Sequence, residues 1–190
     1  LKAHMTRPLT HARLASLLAA LSSIGPFAID AYLPAFPAIG VALGASQLEV
    51  QQTLTIYMVA LAAMVLWHGA LADRFGRRRV LIALTVVFAL ASLVCALAPS
   101  IEWLWCGRTL QGLSGGAGIV VGRAVVRDLH EGPQAQRLMS RVMLIFGLAP
   151  ALAPLVGAGL LALAGWRAIF FFLTLFGLVL AWVTWRFLPE

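Results

Sequence analysis

Two ionisable side chains interrupt otherwise charge-free apolar stretches: Asp30 closes the window 14–29, and Arg108 precedes the window 109–122. An ionisable group at membrane depth is costly enough to read as functional unless it reaches the interface. A carboxylate withdrawn from water favours its protonated form, while a nearby cation favours the ionised one. Its proton can therefore respond to a change of geometry or to a bound cationic substrate. Asp30 is the best candidate proton carrier. The other acids, Glu49, Asp73, Glu102, Asp128, Glu131 and Glu190, are expected in loops or at helix ends. Counted from Arg13 at about 1.5 Å per residue, Asp30 lies roughly 25 Å across; Arg108, counted back from Arg123, lies about 22 Å across. Nearly equal depth makes the two expected partners, in a pair that is either purely structural or couples protonation to shape.

Those residues need a membrane to be buried in, and the composition supplies one. The 190 residues are 62% hydrophobic and 11% charged, with a mean hydropathy of +0.94, outside the range of ordinary soluble domains. Charge-free windows at 14–29, 50–72, 80–101, 109–122, 142–166 and 168–185 predict an all-α membrane protein. Its six transmembrane helices fall at approximately 13–35, 51–71, 80–98, 101–124, 140–163 and 166–187. The net charge of +7 then has to be read from its placement. With the N-terminus inside, Lys2, Arg7, Arg13, Arg74, Arg77, Arg78, Arg79, Arg123, Arg127, Arg137, Arg141 and Arg186 all face the cytoplasm, and only Arg108 and Arg167 do not. That bias sets both termini inside, and nucleic acid is not an expected partner. Met5 is a candidate natural start, and the first helix is expected to stay uncleaved.

The fourth predicted helix presents Arg108, Gln111 and Gly115 on one face, with small residues at Gly112 and Gly116 for close packing. The fifth contains Gly147, Pro150, Pro154 and Gly157. Two missing backbone donors predict a bent, gate-like helix. Cys95 and Cys106 are near enough in sequence for a disulfide to be conceivable, but small buried apolar residues are the plainer expectation. The four histidines are scattered, and neither a metal set nor a nucleophile–base pair appears, so an enzyme is not expected and no cofactor is called for.

The stretch Gly69 to Leu81 reads G-A-L-A-D-R-F-G-R-R-R-V-L between two apolar runs. It resembles the short cytoplasmic loop between the second and third helices of major facilitator superfamily transporters, with Gly69, Leu71, Asp73, Arg74, Gly76, Arg77, Arg78 and Leu81 matching. By that resemblance the loop is a conformational latch in which Asp73, Arg77 and Asp128 are candidate partners. Arg108, Gln111 and Gly112 match the R-x-x-Q-G pattern that proton-driven members carry in the fourth helix, which implies a role for Arg108 in proton transfer. Ala153-Pro154-Leu155-Val156-Gly157-Ala158 is similar to the antiporter signature G-P-x-x-G-G with two glycines replaced by alanine. Gly165-Trp166-Arg167 resembles the outer turn between helices five and six, with Trp166 an expected interfacial anchor. Ile29-Asp30-Ala31-Tyr32-Leu33-Pro34, with Pro37 and Arg127-Asp128, resembles the bicyclomycin-resistance subgroup.

The resemblance implies one six-helix half of a major facilitator fold, an inverted 3+3 helix repeat whose second half is absent from this chain. The function it implies is proton-coupled efflux of small amphipathic drugs across the plasma membrane, a bacterial inner membrane, powered by the proton gradient. The partners implied are the bilayer, protons, a drug and a second six-helix half. A half-length interaction module or a fragment is the alternative. Tyr32, Tyr57, Met58, Trp67, Met143 and Phe146 are candidate cavity-lining residues.

Overall fold

The computed structural model describes residues 11–188; Lys2, Met5, Arg7 and Glu190 lie outside them. Among the described residues all regular structure is helical: α1 (His11–Asp30), a 3-10 turn (Leu33–Ala35), α2 (Phe36–Leu43), α3 (Gln47–Phe75), α4 (Arg77–Ala96), α5 (Ile101–Gly115), α6 (Ala117–Leu129), α7 (Gly132–Phe146), α8 (Ala149–Ala164) and α9 (Trp166–Phe187). Five stretches are long and apolar enough to cross a bilayer: Ala12–Leu43, Gln47–Phe75, Arg77–Ala96, Gly132–Ala164 and Trp166–Phe187. The remaining stretch, α5 with α6, has the length of a span but carries Glu102, Arg108, Arg123, Arg127 and Asp128.

Local chemistry places the breaks. The capping box of Ser46 and Glu49 starts α3: Glu49 N–H donates to Ser46 Oγ at 3.3 Å, and Ser46 N–H donates to Glu49 Oε2 at 2.8 Å, satisfying donors that a helix start leaves free. The stretch 69–81 is not a loop. Gly69, Asp73 and Arg74 still belong to α3, Arg77 and Arg78 already belong to α4, and Gly76 alone separates them. Its φ of 94° is a conformation that side-chain-bearing residues avoid, so one glycine makes the whole turn. The first predicted helix stops at Asp30 rather than 35, because the prolines at 34 and 37 initiate new turns instead of extending the old one. The fourth is split at Gly116 and runs on to Leu129. The fifth begins at Gly132 and is interrupted at Gly147–Leu148, where Pro150 cannot donate to the carbonyl of Phe146.

Packing pairs the elements in a regular way. α4 runs along α9, α3 along α5, and α1 along α7 and α8. Exchanging the first three predicted spans for the last three maps the α3–α5 pair onto the α8–α1 pair and returns the α4–α9 pair to itself. Because successive spans alternate in direction, an offset of three reverses each one, which is the pairing expected of the inverted 3+3 repeat that the sequence resemblance implies. α1 sits at the centre with Leu14, Leu18, Leu21, Ile24 and Ala28 buried.

Candidate functional site

Arg108 is completely buried in the middle of the bundle. α5 aims it at the C-terminal end of α1, where Nη1 donates to the Ala28 carbonyl at 2.9 Å and to Gln111 Oε1 at 2.8 Å. The Ala28 carbonyl is available because α1 ends there: Tyr32 N–H turns to the Ile29 carbonyl instead. Free carbonyls at a helix C-terminus carry partial negative charge, so α1 presents its negative pole to the guanidinium. The rings of Tyr32 and Tyr57 lie over the same guanidinium, with centroids 4.7 and 4.3 Å from Cζ. Their π faces supply further negative potential where no carboxylate stands.

Each member of this shell is held by a second one. Gln111 Nε2 donates to Ser92 Oγ at 2.7 Å on α4, and Ser92 Oγ donates to the Phe88 carbonyl. Tyr32 Oη shares a 2.7 Å hydrogen bond with Thr53 Oγ1 on α3, and Tyr57 Oη donates to the Gly25 carbonyl at 3.4 Å. A Cβ on Gly112 would stand 2.4 Å from the Tyr57 carbonyl oxygen, so glycine there lets α5 approach α3 closely enough for the ring to cover the cation. Among the described residues, the Nε and Nη2 groups of Arg108 have no hydrogen-bond partner. The arginine is thus a buried cation held by dipoles and π faces, with two of its nitrogens left for an incoming anion.

Asp30 does not supply that anion in this structure. It is the last residue of α1, half-buried, and the ion pairs among the described residues do not include it. Equal depth had suggested direct pairing. Depth fixes only one coordinate, and the end of α1 turns its carbonyl, not the carboxylate two residues on, toward the guanidinium. α8 closes on the same place: a Cβ on Gly157 would fall 2.0 Å from the Ala31 carbonyl oxygen. Pro150 stands at the start of α8 and Pro154 within it, so the predicted gating residues belong to a helix pressed against the residue after Asp30.

The second cluster lies at the end of the bundle where α1 begins and α3 and α6 finish. Arg77 Nη1 reaches Asp73 Oδ1 at 2.5 Å, and its Nε donates to Asp128 Oδ2 at 3.0 Å. One guanidinium at the start of α4 therefore ties the last turn of α3 to the last turn of α6. The neighbouring Arg78 donates through Nη2 to the Trp185 carbonyl near the end of α9. Arg74 lies over the adjacent Phe75 ring instead of joining the network.

Other candidates fall differently. Met58 and Trp67 are exposed on α3, and Met143 and Phe146 are partly buried. Trp166 is buried, edge-on to Phe170 and covered by the Arg167 guanidinium, so it packs inside the turn rather than marking an interface. Cys95 is buried and Cys106 exposed, both as free thiols. Ser92 and Thr53 were not singled out in the sequence, since a lone hydroxyl in an apolar helix usually bonds its own backbone. His68 likewise gave no signal among scattered histidines; it is fully buried, its Nε2 3.0 Å from the Leu113 carbonyl near the α5–α6 break.

Comparison with known proteins agrees with this architecture. Residues 16–190 match the Major Facilitator Superfamily. The chain is 43% identical over 169 residues to the uncharacterized MFS-type transporter YdgK of Bacillus subtilis, covering 88% of this chain and 42% of that protein. It is 36% identical over 173 residues to a bicyclomycin resistance protein homolog of Haemophilus influenzae, covering 91% and 44%. It is 37% identical over 175 residues to a chloramphenicol resistance protein of Pseudomonas aeruginosa, covering 92% and 42%. The chain spans less than half the length of these curated relatives. A helical bundle of repeated triplets around a buried arginine, joined at one end by the Asp73–Arg77–Asp128 network, meets sequence relatives over nearly its whole length, and the chain belongs to the Major Facilitator Superfamily.

Proposed function

We propose that this chain is the N-terminal six-helix half of a proton-coupled multidrug exporter, with both termini cytoplasmic and a second six-helix half completing the transport path. The observation that carries the reading is the buried, carboxylate-free Arg108 beside the end of α1. With Asp30 protonated, the arginine rests on the Ala28 carbonyl and the two tyrosine rings. Loss of the proton creates a carboxylate two residues beyond the carbonyl that holds Arg108, and the attraction between the two charges favours a rearrangement of the end of α1 against α5. α8, packed on Ala31 through Gly157, feels the same movement. α5 continues through Gly116 into α6, whose last turn carries Asp128, so a shift there reaches the Arg77 network. Arg108, which answers the proton on Asp30, and Asp128, which belongs to the latch, lie on one broken helix.

The names of the relatives support small drugs as the substrate class. The test uses the full-length transporter containing these residues, reconstituted in proteoliposomes, with drug-induced proton release as the readout. Asp30→Asn should abolish proton-driven export while leaving membrane insertion intact. Unchanged export by that variant would remove Asp30 as the proton carrier.

A further inference from the structure

The geometry points to a binding site for an anionic diacyl phospholipid around the first turns of α1, at the same end of the bundle as the Arg77 network. Three hollows adjoin there. One, of about 250 Å3, is lined by Gln134, Arg137, Leu138 and Arg141 of α7. The second, of about 280 Å3, shares Arg141 with the first and continues along Ala15, Leu144 and Ile145. The third, of about 520 Å3, lies between α1 and α9 against Leu17, Leu180, Val183 and Phe187, with Arg13 at its edge. Ala12 and Ser16 border both the second and the third, so a low ridge of α1 separates two apolar troughs.

That shape fits one occupant. Arg137 and Arg141 are a helical turn apart on one face of α7, both exposed, and neither they nor Arg13 take part in an ion pair among the described residues. A phosphate diester between the two guanidinium groups would receive charge-assisted hydrogen bonds from planar donors suited to it. From that point the troughs run on either side of the Ala12–Ser16 ridge, one toward Leu144 and Ile145, the other toward Leu17 and Leu180, as two acyl chains of one lipid would. Leu144 is 73% exposed and Ile145 41% exposed, an apolar surface that lipid covers without cost. The change from charged to apolar lining between Arg137 and Leu144 occupies about 10 Å along α7, the depth over which headgroups give way to hydrocarbon.

Native mass spectrometry of the full-length transporter containing these residues, purified in detergent and titrated with phosphatidylglycerol or with phosphatidylcholine, tests the site. Retention of phosphatidylglycerol over phosphatidylcholine is expected, and Arg137→Gln with Arg141→Gln should lower phosphatidylglycerol affinity about thirtyfold, the sum expected of two arginines near an anionic headgroup. Arg123→Gln with Arg127→Gln on α6 has the same spacing and exposure but borders none of the three hollows, and should leave affinity within a factor of about two. Ser16→Trp, which fills the ridge between the troughs without touching a charge, should also weaken binding. Equal retention of the two lipids, or equal losses in the two double variants, would overturn the site in favour of general surface charge. Full displacement by inorganic phosphate would show a free-anion site instead and overturn the lipid. None of these outcomes depends on proton-coupled transport.

Discussion

Arg108 shows how a charge is kept inside an apolar bundle without a counter-ion. An isolated buried ion is too costly to persist, and here the cost is offset by a helix C-terminus, a glutamine and two aromatic faces, each individually weak. The tyrosines are therefore separable in a way that their hydroxyls are not. Tyr57→Phe keeps the ring 4.3 Å from Cζ and loses only a 3.4 Å hydrogen bond; it should cost no more than about 1 kcal/mol. Tyr57→Leu removes a desolvated cation–π contact worth about 2 kcal/mol and leaves a gap besides. Thermal unfolding in detergent should rank wild type and Tyr57→Phe together and Tyr57→Leu well below; equal losses would mean that the hydroxyl, not the ring, holds the arginine. At this scale the sequence made Arg108 and Gln111 legible, because a charge and an amide three residues apart stand out in an apolar helix. The roles of Tyr32 and Tyr57 were not legible: an aromatic in a membrane helix has the same pattern whether it faces lipid, core or a cation. The pairing of Asp30 with Arg108 was over-read for a related reason, since residue counting gives depth along a helix and no azimuth around it.

At the scale of elements, breaks and close crossings matter more than spans. Apolar windows located the helices within several residues, but the divisions at Asp30, Gly116 and Gly147–Leu148 depend on where freed carbonyls find partners, which is a tertiary fact. The connection around Gly76 failed in the opposite direction: a dense run of arginines reads as loop, yet helices accommodate arginine well and only the glycine departs from helical geometry. Glycines along α8 allow a sharp comparison. Gly157→Ala places a methyl 2.0 Å from the Ala31 backbone oxygen just past α1, whereas Gly159→Ala meets nothing within 4 Å. The first should destabilise by about 1–3 kcal/mol through overpacking, and the second should be neutral or slightly stabilising because alanine is the better helix former. A thiol-reactive unfolding assay distinguishes them, Cys95 being buried in the folded bundle. Similar behaviour of the two variants would show that α8 does not press on α1 as described.

For the molecule as a whole, the question is how much energy holds one arrangement of the bundle against another. Arg77 makes two ion pairs, and the side chains are 26%, 65% and 53% exposed for Arg77, Asp73 and Asp128. Pairs so accessible to water are worth about 0–1 kcal/mol each, and the Arg78 hydrogen bond to Trp185 adds another modest contribution. A total of roughly 1–2 kcal/mol corresponds to a population bias of only about five- to thirtyfold. That is too little to matter to folding and well suited to a latch, since a single protonation or binding event can reverse it. Asp73→Asn and Asp128→Asn should therefore leave unfolding temperature nearly unchanged while shifting the conformational equilibrium. Because both acids act through the same guanidinium, their effects should not add: the double variant should resemble Arg77→Gln and fall short of the sum of the single changes. Distances between spin labels on exposed positions of α3 and α6 would report the distribution. Raising salt from low to about 1 M should move wild type toward the variants, as screening shortens the reach of surface charge to about 3 Å. Additive effects of Asp73→Asn and Asp128→Asn, or a distribution indifferent to salt, would mean that the ends of α3 and α6 are held by packing and that Arg77 is not the latch.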